Sequence, residues 1–201
     1  MKEDIHLILA SGSPRRKDLL ESLGIRFEVV PADVDESFLP SEAPADVVRR
    51  LALEKAREVS KMFEKHWILG ADTIVVIDGQ ILGKPVDKSE AKTMLGKLAG
   101  RTHEVFTGYA LVNLNGAERV VSDFCRSEVF IRDLSEQEIE EYIETGEPLD
   151  KAGAYAIQGI GAAIVQGVNG SYTNVVGLPL CEVARELKKL KVYDFLKAGR
   201  P

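Results

Sequence analysis

The chain has 201 residues, 45% hydrophobic and 29% charged, a balance that suits one globular domain or two small lobes on a shared core and argues against disorder. Its formal net charge of −6 weighs against non-specific binding to nucleic acid or an anionic membrane, so a polyanionic ligand would need a local cluster of Arg and Lys or a metal ion. No run approaches the roughly 20 apolar residues of a membrane span, the opening apolar run is too short for a leader, and Cys125 and Cys181 have no metal-ligand spacing, so a cytoplasmic protein with two buried or half-buried free thiols is expected.

Residues 6–10 are a short apolar run and read as a buried first strand. Ser11-Gly12-Ser13 breaks it, and a helix is predicted over 14–23, with Ser13 as N-cap, Pro14 at the first helical position and Gly24 as its stop. A second strand over 27–30 leads into an acidic loop, Asp33 to Glu36. Helical spacing of Val47, Val48, Leu51, Ala52 and Ala56 predicts a helix over 44–63. Residues 67–77 read as a strand interrupted at Gly70-Ala71-Asp72, and Asp78-Gly79 as a hairpin turn into Ile81 and Leu82. A helix over 89–98 ends at Gly100; two long strands, 102–114 and 118–131, flank Asn115-Gly116. Ser135 with Glu138 is a capping box for a helix to about Thr145. The glycine-rich stretch 146–170 is irregular, with short strands expected at 155–158 and 163–165, and a last amphipathic helix covers 179–190 before a loose tail. Helices alternating with strands early and a long hairpin late give an α/β fold with a mixed sheet, as a single domain over 1–201 without repeat or linker.

Five groups of residues carry candidate chemistry. Ser11, Ser13, Arg15 and Arg16 surround a helix start, where unpaired N–H groups and the helix dipole favour anions and two guanidinium groups suit phosphate oxygens. The same pattern also fits a capped helix with two solvated arginines. The loop pair Asp35-Glu36 matters only if it meets another carboxylate around a divalent ion, since magnesium takes oxygen ligands. Asp72 stands in an otherwise apolar strand, where a carboxylate is costly unless paired, hydrogen-bonded or metal-bound, and Gly70 beside it permits close backbone approach. Lys55, Lys84 and Lys151 are each ordinary surface lysines in isolation, but together with the two arginines they suffice to surround a triphosphate. Gln158, after the small residues 152–156, carries the donor and acceptor needed to read a base edge. His6, His66 and His103 are scattered, which gives little support to a histidine–metal site or a Ser-His-Asp arrangement, and G-x-x-x-x-G-K-[ST] is absent, which disfavours a P-loop enzyme.

In these segments, together with Glu54-Lys55-Ala56, Gly70-Ala71-Asp72-Thr73, Gly83-Lys84-Pro85, Gly100-x-x-His103, Asp150 to Tyr155, Gln158-Gly159 and Gly177-Leu178-Pro179, the chain resembles the Maf family of nucleotide pyrophosphatases, over about residues 5–190. The resemblance implies a mixed α/β sheet with flanking helices in two lobes around a cleft, related in fold to inosine triphosphate pyrophosphatases. It implies hydrolysis of a nucleoside triphosphate between its α- and β-phosphates with magnesium or manganese. By the same resemblance Asp72 is the catalytic aspartate, and Glu36 joins it in holding metal. Ser11, Ser13, Arg15, Arg16, Lys55 and Lys84 handle phosphate or metal. Arg15, Thr73 and Gln158 bear on nucleotide choice, in the form that implies dTTP and UTP. The alternatives it leaves open are 7-methyl-GTP, a broader nucleotide set, or a nucleotide-binding regulator of septum formation without turnover. The partner implied is the nucleotide, not nucleic acid or membrane; a homodimer is compatible but has no interface pattern behind it.

Overall fold

A computed structural model describes residues 7–39 and 41–194. His6 of the predicted first strand and the end of the tail lie outside the described residues. The elements run β1 (Leu7–Leu9), α1 (Pro14–Glu21), β2 (Glu28–Val29), α2 (Pro44–Ser60), β3 (Trp67–Ile77), β4 (Gln80–Leu82), α3 (Lys88–Leu98), β5 (Thr102–Asn113), β6 (Arg119–Ile131), α4 (Glu136–Glu144), β7 (Val165–Asn169), α5 (Tyr172–Val176) and α6 (Leu180–Lys189). Hydrogen-bonded neighbours follow the order β2-β1-β3-β5-β6-β7, with β4 paired to β3. β1 is parallel to β2 and β3, whereas β4 on β3 and β7 on β6 are antiparallel. The sheet is therefore mixed, as the alternation of patterns predicts.

The chain folds into two compact units, with β3, β5 and β6 contributing to both. Among the described residues, the first holds those up to Asp72, Thr107–Phe124 and those from Gly177 on. Its strands β1 and β3 are apolar on both faces, and side chains alternate across them. Leu7, Leu9, Trp67, Leu69 and Ala71 face Leu20 of α1 and Val183 and Leu187 of α6. Ile8, Ala10, Ile68 and Ala110 face Ala52, Ala56 and Val59 of α2. Burial on both faces explains why β1 and β3 read as continuous apolar runs, and why the short β1 is a buried strand.

The second unit, Thr73–Phe106 and Cys125–Val176, has its own core of Val75, Ile77, Leu95, Leu98, Val129, Ile131, Ile139 and Ile143. The turn between β3 and β4 puts Asp78 at φ 52° and Gly79 at φ 72°, the doubly left-handed hairpin that an Asp-Gly pair favours. The Ser135–Glu138 capping box is formed in both directions. Three expectations are corrected. β3 is one unbroken strand through Gly70-Ala71-Asp72, because Asp72 is paired rather than turned out of the ladder. Residues 155–158 are not a strand; short 3-10 turns at Ala152–Ala154 and Gly159–Ala163 shape that stretch, and β7 begins only at Val165. Cys181 is exposed, since it faces outward in the first turn of α6, and Cys125 is half-buried. None of the described helices is long and apolar enough to cross a membrane.

His103 lies in the second core, its Nε2 2.7 Å from the Tyr155 hydroxyl, and burial alone lowers its pKa from 6.5 to about 4. Its neutral form is stabilising in full above pH 6.5; below that the unfolded chain takes the proton first, and the contribution is lost as pH falls through 4. The stability gap between the wild type and His103→Asn, measured by urea unfolding, is expected to narrow by about 3 kcal/mol from pH 7 to pH 4. A gap that stays constant across that window would show that the imidazole does not titrate as described.

Candidate active site

Two glycines bring α2 onto the sheet of the first unit. A Cβ on Gly70 would stand 2.1 Å from the Ala52 carbonyl oxygen, and one on Gly108 would stand 2.2 Å from that of Val48. Helix backbone thus lies directly over strand backbone, which only glycine allows. This approach sets Lys55, on the sheet-facing side of α2, against Asp72, which follows Ile68 and Gly70 on the same face of β3. Both are buried, and the Lys55 ammonium lies 2.6 Å from Asp72 Oδ1. It lies equally 2.6 Å from Oε1 of Glu36, whose side chain is half exposed. One cation therefore bridges two carboxylates from different segments. The Glu36 loop is held in turn: Ser37 N–H donates to Asp35 Oδ1, and Arg50 donates to the Ser37 carbonyl and, through two nitrogens, to Glu42.

The start of α1 lies within the same unit. Pro14 occupies the first turn and Ser13 the N-cap position, yet the Ser13 hydroxyl makes no capping bond. That departs from the expected cap. The Ser13 N–H instead donates to Ser11 Oγ, which also accepts from Arg16 Nη1 at 3.0 Å. Arg16 Nε donates to the Gly177 carbonyl at 2.8 Å. Burial lowers the Arg16 pKa, opposed by Asp72 and Glu36 and reinforced by Arg15. A guanidinium remains protonated regardless, so Arg16 is a fixed positive charge in the field of the Lys55–Asp72–Glu36 group. Ser11, Arg16, Lys55, Glu36 and Asp72 thus belong to one electrostatic cluster, with Ser13 and Arg15 beside it on the α1 turn.

In the second unit Thr73 continues β3 on the face opposite Asp72. The Gly83 carbonyl accepts from Gly153 N–H at 3.0 Å, tying Gly83-Lys84-Pro85 to Lys151-Ala152-Gly153. Gly153 has φ 69°, and a Cβ there would press on the side chain of Val75 at 3.0 Å. Lys84, one residue from this bond, is exposed; Lys151 is half-buried, with its ammonium on the Glu147 carbonyl and on Asp150. Gln158 is exposed at the head of the Gly159–Ala163 turn.

The profile of the family described as "Maf-like protein" matches residues 6–190. The chain belongs to the Maf family. Relatives named dTTP/UTP pyrophosphatase agree with it along nearly their whole length. That of Citrifermentans bemidjiense is 55% identical over 90% of this chain and 94% of its own. That of Syntrophotalea carbinolica is 50% identical over 98% and 90%, and that of Bacillus cytotoxicus 53% over 90% and 94%. Among solved structures, the Staphylococcus aureus Ham1 protein is similar at 13% identity and a TM-score of 0.46, covering 79% of each chain.

Two positions of this Maf-family chain that spacing did not single out support the candidate residues. Arg50 anchors the loop that carries Glu36; its only sequence signal is the i,i+4 step to Glu54, which it meets at 3.3 Å. Glu147 organises the turn beside Gln158, and nothing local in sequence marks an exposed-looking glutamate as an acceptor for backbone N–H groups thirteen and fourteen residues away.

Proposed function

We propose that this Maf-family protein hydrolyses dTTP and UTP in the cytoplasm to the nucleoside monophosphate and pyrophosphate, with Asp72 as the catalytic carboxylate. Water adds to the α-phosphorus, the bond from that phosphorus to the bridging oxygen breaks, and the water's proton passes to Asp72. Lys55 fixes the Asp72 carboxylate through Oδ1. Arg16, held by Ser11 and Gly177, and Arg15 on the same turn offer guanidinium donors to phosphate oxygens. The first-turn N–H groups of α1, which the Ser13 hydroxyl does not cap, add anion-binding donors. In the second unit Lys84 serves phosphate, while Thr73 and Gln158 serve nucleotide choice.

The observation that carries this reading is the Lys55 ammonium between Asp72 and Glu36, set beside relatives 50–55% identical that bear the name of that activity. The same observation tests the fit of a divalent metal. Two hard carboxylates already converge on one cation, and magnesium commonly takes one or two carboxylates and completes its shell with phosphate oxygens and water. The residues fit, with Glu36 and Asp72 as the protein's ligands. When bound, magnesium or manganese would neutralise phosphate charge and polarise the phosphoryl oxygens.

The test is pyrophosphate release from dTTP, UTP, CTP, GTP, ATP and 7-methyl-GTP, with magnesium and then with excess EDTA. Release from dTTP and UTP well above the rest, abolished by EDTA, is expected. Release from 7-methyl-GTP alone would overturn the nucleotide choice, and EDTA-resistant turnover the metal. No turnover by folded, metal-loaded protein would leave a nucleotide-binding regulator.

A further inference from the structure

The turn bearing Gln158 is built around one carboxylate. Glu147 Oε1 accepts from the Gly161 N–H and from the Tyr142 hydroxyl, both at 2.8 Å, and Oε2 accepts from the Ile160 N–H at 3.0 Å. Tyr142 is buried, and its oxygen also accepts from the Ala156 N–H at 3.1 Å. Backbone donors on both sides of Gln158 therefore end on the same Glu147–Tyr142 pair. The glycines of this stretch are cut to fit it. Gly159 has φ 70°, and a Cβ there would stand 2.4 Å from Glu147 Oε2. A Cβ on Gly161 would stand 2.4 Å from the Tyr142 oxygen and 2.2 Å from the Ala156 carbonyl oxygen.

An ionised carboxylate is acceptor-only, with no proton of its own to place, so three donors converging on its two oxygens favour the charged form. Burial works to raise the Glu147 pKa, but the hydrogen bonds from Gly161, Tyr142 and Ile160 outweigh it and leave the value lowered. A side chain with this many local acceptor bonds is more than a surface glutamate. It is also too committed to protein donors to take part in the reaction.

We infer that Glu147 is a positioning residue for nucleotide choice: with Tyr142 it fixes the backbone of residues 156–161 so that Gln158 presents its amide in one orientation to the pyrimidine edge. This rests on the reading of Gln158 as the base-reading residue. A glutamine at 147 keeps the size but offers an amide nitrogen where Ile160 N–H needs an acceptor, so two donors face each other. Its loss acts on the base, not on the phosphorus, and so belongs in KM.

The test compares Glu147→Gln, Tyr142→Phe, Gln158→Ala and the double variant Glu147→Gln/Gln158→Ala, with pyrophosphate release from dTTP, UTP, CTP and GTP. Glu147→Gln is expected to raise KM for dTTP and UTP about ten- to hundred-fold with kcat within about three-fold, and to narrow the preference over GTP. Tyr142→Phe should do the same to a smaller extent, and it carries the test if Glu147→Gln does not fold. In the Gln158→Ala background the Glu147 substitution should add nothing further to KM. A KM effect that persists in that background, or a loss confined to kcat, would make Glu147 merely structural and overturn the inference. If Gln158→Ala alone leaves KM and preference unchanged, the base-reading role of Gln158 falls, and with it this inference. If Gln158→Ala raises KM but neither Glu147→Gln nor Tyr142→Phe does, the Gln158 reading stands and only the positioning role is lost.

Discussion

Asp72→Asn is expected to lower kcat by about 10² to 10⁴ while leaving the fold in place, the range found when a positioned acid–base group is removed. The amide matches the carboxylate in shape, and its oxygen still accepts from Lys55, which keeps Glu36 as a second partner at 2.6 Å. What the variant lacks is the charge that takes a proton or holds a metal. Lys55→Met contrasts with it. Lys55 and Asp72 are both buried, so removing the ammonium strands a carboxylate, which costs roughly 3–5 kcal/mol. Joining the two substitutions removes both charges, and the double variant should regain part of that loss in urea unfolding. The two measurements separate the roles: kcat from pyrophosphate release reports on Asp72 as reactant, and unfolding reports on the pair as structure. Asp72→Asn with unchanged kcat would remove it from both proton transfer and metal binding.

Much of this cluster was legible because costly residues announce themselves. An Asp inside an eleven-residue apolar strand had to have a partner, and Gly70 two residues before it signalled close backbone approach. The helices were legible where caps and periodicity agreed, as at Ser135–Glu138. What spacing alone did not give is which cation meets Asp72. Seventeen residues separate Lys55 from Asp72, and only the packing of α2 on β3 joins them. The stretch 146–170 was the least legible part. Its conformation comes from left-handed glycines and from backbone N–H groups ending on Glu147 and Tyr142, contacts that leave no periodic trace. Ser13 shows the opposite error: the right residue type at an N-cap, with its hydroxyl making no capping bond.

Gly70→Ala should be among the most damaging single-methyl changes in the chain. The added carbon would stand 2.1 Å from the Ala52 carbonyl oxygen and 2.8 Å from the Ala56 backbone nitrogen, both in the backbone of α2. No side-chain rotation relieves a clash with helix backbone, so α2 must lift from β3. Overpacking usually costs about 1–3 kcal/mol and more where nothing can yield, so a loss of at least about 3 kcal/mol is expected in urea unfolding. The lifted helix carries Lys55, so protein that remains folded at low temperature should also lose activity by more than about tenfold, since displacements near 1 Å disturb catalysis to that degree. The control is the same substitution at Gly96, inside α3, where an added Cβ meets nothing within 4 Å. There alanine should stabilise by about 0.5–1 kcal/mol through helix propensity and leave kcat unchanged. Opposite signs for one methyl at two glycines would tie the result to the α2–β3 approach. Equal and small effects would mean that Lys55 does not depend on Gly70 for its place beside Asp72.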